Sequence, residues 1–260
     1  MILAIDIGNT NIVLGGIVAG EQVFSVRLAS DRNKTADQYA LDIQGILSMH
    51  GVDIRDIEGG ILSSVVPYLR AVLPEAIKML TGVDIMVVGQ GLETGLSICM
   101  DDPSTVGSDL IVSAVAARAK YPAPIAVIDM GTATTMSVID EDGHYIGGMI
   151  IPGLWVSVNA LSARAAQLPY IDLTGPTELL GKNTVDCMRS GAVIGCAAMM
   201  DGIIDRLEKE LGKPVSAILT GGVSPLIEPY CTHKFYLEPD IIIAGLQILY
   251  EKNRPWAKAE

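Results

Sequence analysis

An internal repeat constrains the fold of this chain more than any other feature. Shifting the sequence by 123 positions places ILAIDIGNTNIVLGGI, which begins at Ile2, over IAVIDMGTATTMSVID, which begins at Ile125. The shift aligns three pairs of residues: Asp6 with Asp129, Gly8 with Gly131, and Gly20 with Gly143. Similarity at one offset indicates a duplicated structural unit. We therefore predict two similar lobes, residues 1–121 and 122–260, with their boundary beside Tyr121-Pro-Ala-Pro124.

Strands and helices alternate within each half. Short apolar and β-branched runs bounded by turn residues predict strands at Ile2–Ile5, Ile12–Ile17, Gln22–Leu28, Gly60–Val65, Ile85–Val88, Ile125–Ile128, Thr135–Ile139, Tyr145–Ile150, Ala217–Leu219 and Lys234–Leu237. Longer patterns predict helices at Ala36–His50, Pro67–Leu80, Val106–Lys120, Leu154–Ala165, Asp186–Leu211 and Ile241–Lys252. This alternation is typical of an α/β protein.

The composition excludes several classes of function. Of 260 residues, 50% are hydrophobic, and the net charge is -12 with only 18 Lys and Arg residues, which argues against nucleic-acid or anionic-membrane partners. Asp6 interrupts the first apolar run, so we expect no signal peptide. No unbroken apolar run of about 20 residues is present, so we expect no membrane span. The protein is expected to be soluble and cytoplasmic.

Cysteine and histidine spacing argues against a metalloenzyme of the zinc type. The 4 cysteines lack the short paired spacing of a zinc knuckle, and the 3 histidines lie far apart. We therefore expect buried free thiols and no catalytic triad of the serine-hydrolase kind.

The two repeated turns carry the residues best suited to phosphate chemistry. In each copy an Asp ends a strand and a Gly follows two positions later, where backbone N–H groups can approach a phosphate. A carboxylate beside phosphates needs a cation, so Asp6 and Asp129 are candidate metal ligands. A plain Asp-Gly hairpin turn explains either copy alone, but the duplication favours nucleotide binding. The P-loop and Rossmann motifs are both absent, so another nucleotide-binding fold is required.

Further short motifs follow the hairpins in a fixed order. They are Asp6-Ile-Gly-Asn-Thr10, Thr35-Ala-Asp-Gln-Tyr39, Val106-Gly-Ser-Asp109, Asp129-Met-Gly-Thr-Ala-Thr-Thr135, Gly147-Gly-Met-Ile-Ile-Pro-Gly153, Ala166-Gln-Leu-Pro169 and Thr220-Gly-Gly222. In order and spacing the chain resembles type III pantothenate kinase, within the acetate and sugar kinase, Hsp70 and actin superfamily. The resemblance implies two duplicated ribonuclease-H-like lobes with mixed sheets and an ATP cleft between them. It also implies ATP-dependent phosphorylation of pantothenate to 4′-phosphopantothenate, the first step of coenzyme A biosynthesis.

The same resemblance implies the nucleotide-binding residues and the ions. The first hairpin would bind ATP phosphates through Asp6, Ile7, Gly8, Asn9, Thr10, Asn11, Ile12 and Val13. Thr132 would contact ATP, and Asp129 would hold a monovalent cation, K⁺ or NH₄⁺. A divalent ion, normally Mg²⁺, would lie near Asp6. In members of the superfamily, the backbone at the position of Thr220-Gly-Gly222 runs alongside the bound adenosine. A plain strand-to-helix turn explains this segment equally well. Family members are homodimers.

The acceptor side is implied by a second set of positions. Gly107-Ser-Asp-Leu110 aligns with the family motif Gly-x-Asp-Arg, which makes Asp109 the general base, with Gly107 and Ser108 in the acceptor site. Thr184 matches a position that contacts pantothenate. Without the resemblance, Asp109 is an ordinary carboxylate at the start of a helix.

Two residues depart from the family pattern. Leu110 stands where Arg is usual and cannot bind anionic oxygens, and Met100 stands where Tyr is common. Lys182 or Arg189 either replaces the missing cation or is an ordinary surface charge. The departures leave two alternatives open. One is a superfamily kinase that acts on a different hydroxyl acceptor, or a phosphatase that uses water instead; the other is a non-catalytic regulatory homologue that binds nucleotide.

Overall fold

The computed structural model describes residues 1–89, 91–174 and 178–254, which fold into two compact units. The first unit comprises Met1–Leu96, Ser104–Ala116 and the chain from Asp240 onward. The second comprises Ser97–Pro103 and Ala117–Pro239.

The first unit is built on a five-stranded mixed sheet in the order β3-β2-β1-β4-β5. Its strands are β1 (Ile2–Ile7), β2 (Asn11–Val18), β3 (Glu21–Ala29), β4 (Gly59–Ser64) and β5 (Met86–Val87). β1, β2 and β3 are antiparallel neighbours, whereas β4 runs parallel to β1 and β5 parallel to β4. Its helices are α1 (Ala36–Met49), α2 (Pro67–Thr81) and most of α3 (Ser108–Lys120).

Local signals in the sequence explain where α1 and α2 begin and end. The Thr35 side chain accepts a hydrogen bond from the backbone of Gln38, whose own side chain accepts one from Thr35, which forms a capping box. α2 begins with Pro67 and ends at Gly82, whose φ of 75° is the left-handed conformation that glycine favours.

The second unit repeats this arrangement in the order β10-β9-β6-β7-β8. Its strands are β6 (Ile125–Met130), β7 (Ala133–Ile139), β8 (Tyr145–Pro152), β9 (Ser216–Thr220) and β10 (Tyr236–Leu237). Its helices are α4 (Leu154–Arg164), α5 (Thr184–Leu211) and the single-turn α6 (Ser224–Ile227). The predicted duplication of a mixed-sheet α/β unit is therefore confirmed, and all the predicted strands and helices are present.

The two copies differ in the length of the first turn. Ile7 pairs with Ile12 across the β1–β2 turn, whereas Met130 pairs with Thr134 across the β6–β7 turn, which is one residue shorter. The following turns match again, because Gly20 and Gly143 have φ values of 86° and 81°.

The last helix, α7 (Ile241–Asn253), belongs to the first unit, although the predicted lobe 122–260 includes it. It packs on β1 and β4. Three glycines make room for it: Gly15 faces Ile243, Gly59 faces Tyr250, and Gly245 lies against Val112 of α3. A Cβ atom at residue 245 would stand 2.1 Å from the Val112 carbonyl oxygen, so the backbones of α7 and α3 are in close contact. Residues 255–260 of the predicted lobe lie outside the described residues.

By length and composition alone, α5 is apolar enough to cross a membrane. In this structure 44% of its most apolar 18-residue window is buried inside the protein. Val193, Ala197 and Met200 are fully buried in the core of the second unit. Core helices of soluble proteins meet the same length and composition criteria.

Candidate active site

The β1–β2 turn presents a short polar segment from Gly8 to Asn11. The Gly8 N–H donates to the Asn11 carbonyl at 2.9 Å. Ser30, just after β3, fixes the turn from one side, because its N–H donates to the Thr10 carbonyl at 2.9 Å and its Oγ to the Gly8 carbonyl at 2.7 Å. The side chains of Asn9, Thr10 and Asn11 remain exposed. The turn is thus held in one conformation with its polar side chains towards solvent.

Ile7 and Ile12, both predicted to bind ATP, have buried side chains with at most 1% exposure. They flank the turn and lie in the core of the first unit, so only their main chain is available to a ligand. Val13, opposite Asp6 in the ladder, is half-buried.

Asp6 lies near the end of the central strand of this sheet and is half-buried. It pairs with Val13 on β2 and with Ser63 on β4, which is fully buried. Carboxylate oxygens are the hard ligands that Mg²⁺ prefers, so Asp6 suits the expected divalent ion chemically.

The start of α3 is anchored to the end of β4, next to the strand that carries Asp6. The Ser108 hydroxyl accepts hydrogen bonds from Ser63 Oγ at 2.9 Å and from the Ser64 N–H at 3.2 Å. It donates to the Ser64 carbonyl at 3.2 Å. The residue after Ser108 is Asp109, so these three contacts hold the start of α3, and with it Asp109, at the end of β4, whose Ser63 pairs with Asp6.

Asp109 itself is half-buried in the first turn of α3. Its Oδ1 accepts a hydrogen bond from the Leu110 N–H at 2.9 Å. Burial raises the pKa of Asp109, and backbone hydrogen bonds oppose this only in part. A Cβ atom on residue 107 would lie 2.4 Å from Asp109 Oδ1, which explains why Gly107 precedes it. Leu110 therefore orients the carboxylate through its backbone, although its side chain carries no charge.

The β6–β7 turn of the second unit is tighter and enclosed by glycines. The Gly131 N–H donates to the Ala133 carbonyl at 3.1 Å, and Thr132 is exposed beside it. A Cβ atom on Gly153 would lie 2.1 Å from the Thr132 carbonyl oxygen. The start of α4 therefore packs against this turn only because residue 153 has no side chain.

Asp129 lies beside the turn that follows β9. It pairs with Thr220, and a Cβ atom on Gly221 would stand 2.4 Å from Asp129 Oδ1. Gly221 also has a φ of 87°, a conformation that favours glycine. Asp129 is half-buried, and its oxygen donors suit a hard cation. The Thr220-Gly-Gly222 turn is therefore in contact with the carboxylate predicted to hold the monovalent ion.

Thr184 lines an apolar pocket of about 540 Å³ in the second unit. It is the first residue of α5, which Asn183 caps by accepting a hydrogen bond from the Asp186 N–H at 2.9 Å. The pocket lies between α4 and α5, with Leu154, Val158 and Met199 among its lining residues.

Met100 lies elsewhere in the second unit and does not line this pocket. The segment before it pairs with β8, since the Cys99 N–H donates to the Tyr145 carbonyl at 2.8 Å. Met100 Sδ lies beside Gly147. All four cysteines are free thiols, but Cys99 and Cys187 are exposed, so the expected burial is wrong for these two.

The structure accounts for the charge of Arg189. Its guanidinium pairs with Asp172 at 2.9 Å and with Asp186 at 3.4 Å, so it already has two carboxylate partners. Lys182 is exposed on the loop before α5.

Sequence reasoning missed Ser30, Ser63 and Arg32. Arg32 Nη2 donates to Asn9 Oδ1 at 3.0 Å, which places a cation at the first hairpin. All three act through neighbouring strands or loops, and the sequence carries no signal for such long-range pairing. The first unit thus brings together Asp6, the first hairpin and the segment from Gly107 to Leu110. The second unit holds Met100, Asp129, Thr132 and Thr184.

Solved structures with the same fold include sugar kinases. A Sinorhizobium meliloti protein described as a 2-dehydro-3-deoxygalactonokinase matches with a TM-score of 0.60 at 14% identity, over 98% of this chain and 100% of that one. A Campylobacter jejuni protein described as a Baf family transcriptional activator matches with a TM-score of 0.56 at 19% identity, over 96% and 98% of the two chains. At these identities the likeness concerns the fold alone, and it agrees with the predicted two-lobed kinase fold.

Sequence relatives are much closer. A type III pantothenate kinase from Moorella thermoacetica is 44% identical over 253 residues, which is 97% of this chain and 100% of the relative. Another from Exiguobacterium sp. strain AT1b is 42% identical over 254 residues, covering 98% and 100%. The sequence profile of the family described as type III pantothenate kinase matches residues 2–206. This chain belongs to the type III pantothenate kinase family.

Proposed function

We propose that this protein transfers the γ-phosphoryl group of ATP to the primary hydroxyl of pantothenate, giving 4′-phosphopantothenate and ADP, the first step of coenzyme A biosynthesis. Family membership over nearly the whole chain supports this reaction. The observation that carries it is that Ser108, the residue before Asp109, is hydrogen-bonded to the end of β4, next to the strand that bears Asp6.

The first hairpin is the proposed site for the ATP phosphates. The main chain of the turn would approach the phosphates, and Asn9, Thr10 and Asn11 add exposed polar side chains. Thr132, exposed on the second hairpin, is the proposed contact of the second unit with ATP.

Asp109 is the proposed general base. Its carboxylate accepts the proton of the pantothenate hydroxyl while that oxygen attacks the γ-phosphorus and ADP leaves. The loose transition state of phosphoryl transfer depends chiefly on positioning and charge stabilisation. The burial that raises the pKa of Asp109 makes its carboxylate a stronger base than an exposed one.

Two ions complete the proposal. Asp6 would hold a divalent ion, normally Mg²⁺, and Asp129 a monovalent ion, K⁺ or NH₄⁺. Bound there, the ions would offset the negative charge of the phosphates. The half-buried carboxylates at equivalent positions of the two sheets support both assignments.

Thr184, Gly107, Ser108, Leu110 and Met100 are the remaining proposed acceptor contacts. The position of Thr184 in the lining of an apolar pocket supports a role in acceptor binding. Leu110 and Met100 favour one second candidate function, the phosphorylation of a different hydroxyl compound, because both change the acceptor side of the family pattern.

A homodimer in the cytoplasm is the proposed state of the protein. Around α4, large apolar side chains are exposed in the single chain, with Trp155 at 44%, Val156 at 46% and Leu161 at 49%. Large apolar side chains exposed on one short helix favour association with another protein surface.

A coupled ADP-release assay with ATP, Mg²⁺ and K⁺, with and without pantothenate, tests the proposal. Asp109→Asn should abolish pantothenate-dependent turnover. The matched control is Asp84→Asn, at an exposed carboxylate of the same unit that pairs with Lys78 on the surface. ATP binding without pantothenate-dependent turnover would refute pantothenate as the acceptor, and other hydroxyl compounds would then be screened.

A further inference from the structure

The proposed phosphate site is poor in positive charge along the sequence. Residues 1–26, which include the whole first hairpin, contain no Lys or Arg, and neither do residues 79–117, which include the Gly107–Leu110 motif. A triphosphate adds several negative charges beside Asp6 in a chain whose net charge is already -12. Electrostatic balance at this site therefore needs a protein cation from another segment.

Arg32 is the cation that the fold brings to the first hairpin. Its Nη2 donates to Asn9 Oδ1 at 3.0 Å, at the exposed tip of the turn. A guanidinium has five N–H donors, and this contact uses one of them. The guanidinium group of Arg32 can therefore present further N–H groups to a ligand held by the turn.

The loop that carries Arg32 is held firmly. The buried hydroxyl of Tyr39 accepts a hydrogen bond from the Asp31 N–H and donates one to the Asp31 carbonyl, both at 2.9 Å. One residue earlier, Ser30 fixes the carbonyls of Gly8 and Thr10. The backbone on the N-terminal side of Arg32 is thus tied both to the core and to the hairpin.

Most other cations of the first unit are already paired with carboxylates. The pairs are Lys34 with Asp42 at 2.7 Å, Arg55 with Asp53 at 2.5 Å, Lys78 with Asp84 at 2.8 Å, and Lys252 with Glu93 at 4.0 Å. Arg70 donates to the Val88 carbonyl at 3.2 Å, at the end of β5. Within the described residues, no carboxylate lies within ion-pair distance of Arg32. Its contact with the neutral Asn9 amide leaves its charge available.

We propose that Arg32 is a phosphate-binding residue, whose guanidinium contacts oxygens of the ATP phosphate chain held by the first hairpin. The inference rests on the proposed function. Planar guanidinium groups bind phosphate oxygens through two parallel hydrogen bonds, which a leucine at position 110 cannot provide. Arg32 thus supplies positive charge on the nucleotide side of the reaction.

Calorimetric titration of the full chain with ATP, ADP and adenosine tests this assignment. Arg32→Gln should weaken ATP and ADP binding about tenfold or more, equivalent to about 1.4 kcal/mol, and leave adenosine binding unchanged. The matched control, Arg27→Gln, removes the same charge from an exposed arginine of β3 and should change ATP affinity less than threefold. The ATP affinity of Arg32→Gln should also depend less steeply on salt than that of the unaltered protein.

Equal effects of Arg32→Gln and Arg27→Gln would overturn the proposal, because net charge would then explain both. Equal weakening of ATP and adenosine would also overturn it, since Arg32 would then act only by shaping the fold. Thermal unfolding without nucleotide shows whether the variant folds. Arg32→Lys keeps the charge and should retain part of the ATP affinity; full loss with a normal melting temperature contradicts a charge contact.

Assays of the same variants distinguish failure of the Arg32 assignment from failure of the proposed reaction. If the unaltered protein binds ATP but shows no pantothenate-dependent turnover, the reaction fails while the binding comparison still judges Arg32. If turnover is present and Arg32→Gln leaves the KM for ATP unchanged, the assignment of Arg32 as a phosphate-binding residue is wrong and the proposed reaction stands.

Discussion

The Ser108 hydroxyl is predicted to position Asp109, and Ser108→Ala tests this directly. The substitution removes three hydrogen bonds, those to Ser63 Oγ at 2.9 Å and to the N–H and carbonyl of Ser64 at 3.2 Å each. Each is worth about 1 kcal/mol net, and the fully buried Ser63 hydroxyl would lose its partner. We expect the free energy of unfolding to fall by about 2–3 kcal/mol.

A loss of this size is measurable in two ways. Thermal unfolding should show a melting temperature lower by about 5–10 °C, since 1 kcal/mol shifts a chain of this size by about 2–4 °C. In the coupled assay, kcat should fall by at least about tenfold, because small misplacements of a catalytic group cost up to about 100-fold. The KM for ATP should change little, since within the described residues no hydrogen bond joins Ser108 to the first hairpin.

Two further variants separate stability from positioning. Ser63→Ala combined with Ser108→Ala removes both hydroxyls of this pair, so no buried hydroxyl is left without its partner and part of the stability should return. The kcat should stay low because the link to Ser64 is still missing. Ser190→Ala removes a single buried hydroxyl contact, to the Leu179 carbonyl at 2.7 Å, in the second unit and should leave kcat intact. If Ser108→Ala lowers the melting temperature but leaves kcat unchanged, the positioning argument is refuted.

Three other substitutions test charge and backbone geometry. Asp109→Asn should lower kcat by about 100-fold or more yet raise the melting temperature at pH 7, because burial raises the pKa of this carboxyl and disfavours its charged form. Gly221→Ala, at a φ of 87° and against Asp129, should cost more stability and ATP affinity than Gly212→Ala, whose φ is 68° with no atom within 4 Å of the added methyl. Asp201→Ala should cost about 3 kcal/mol in urea unfolding, because that carboxylate accepts three hydrogen bonds from Thr232 and the next residue.

The pH dependence of stability gives Asp201 a second readout. Burial raises the pKa of its carboxyl, but the hydrogen bonds from His233 and Thr232 outweigh burial, and the net pKa is lowered. The stabilisation from Asp201 is therefore complete above the unfolded pKa of about 4 and is lost as the pH falls through the lower folded value. Asp201→Asn should lose stability at neutral pH and show a weaker acid dependence below pH 4. If the stability of Asp201→Asn falls with pH below about pH 4 as steeply as that of the unaltered protein, Asp201 does not contribute to the acid dependence.

The repeat and the strands were predictable because they depend on local pattern. β1 and β6 are short apolar runs that end in an Asp and a glycine turn, and both copies keep the pattern at one offset. The helix starts at Thr35 and Pro67 follow from capping chemistry alone. Such signals lie within a few residues of the structure they specify.

The placement of α7 was not predictable in the same way. Its apolar residues lie on several sides, so the pattern does not specify which sheet the helix covers. The deciding features are spaces left by Gly15 and Gly59, far away in the sequence, into which Ile243 and Tyr250 fit. The buried orientation of Ile12 has the same origin, because register within the sheet determines which hairpin residues face the core.

The structural differences between the two hairpins favour different functions for them. The first turn is one residue longer, exposes Asn9 and Thr10, and has Arg32 against it. The second turn is shorter and is enclosed by Gly153 and Gly221. A side chain at either of these two positions would clash with Thr132 or Asp129. A longer turn with polar side chains and a cation suits a highly charged phosphate chain. The tight turn beside Asp129 suits the proposed monovalent cation and still leaves Thr132 exposed for the proposed contact with ATP. Had both copies kept one geometry, duplication alone would explain the repeated motif; their different surroundings instead favour different roles in nucleotide binding.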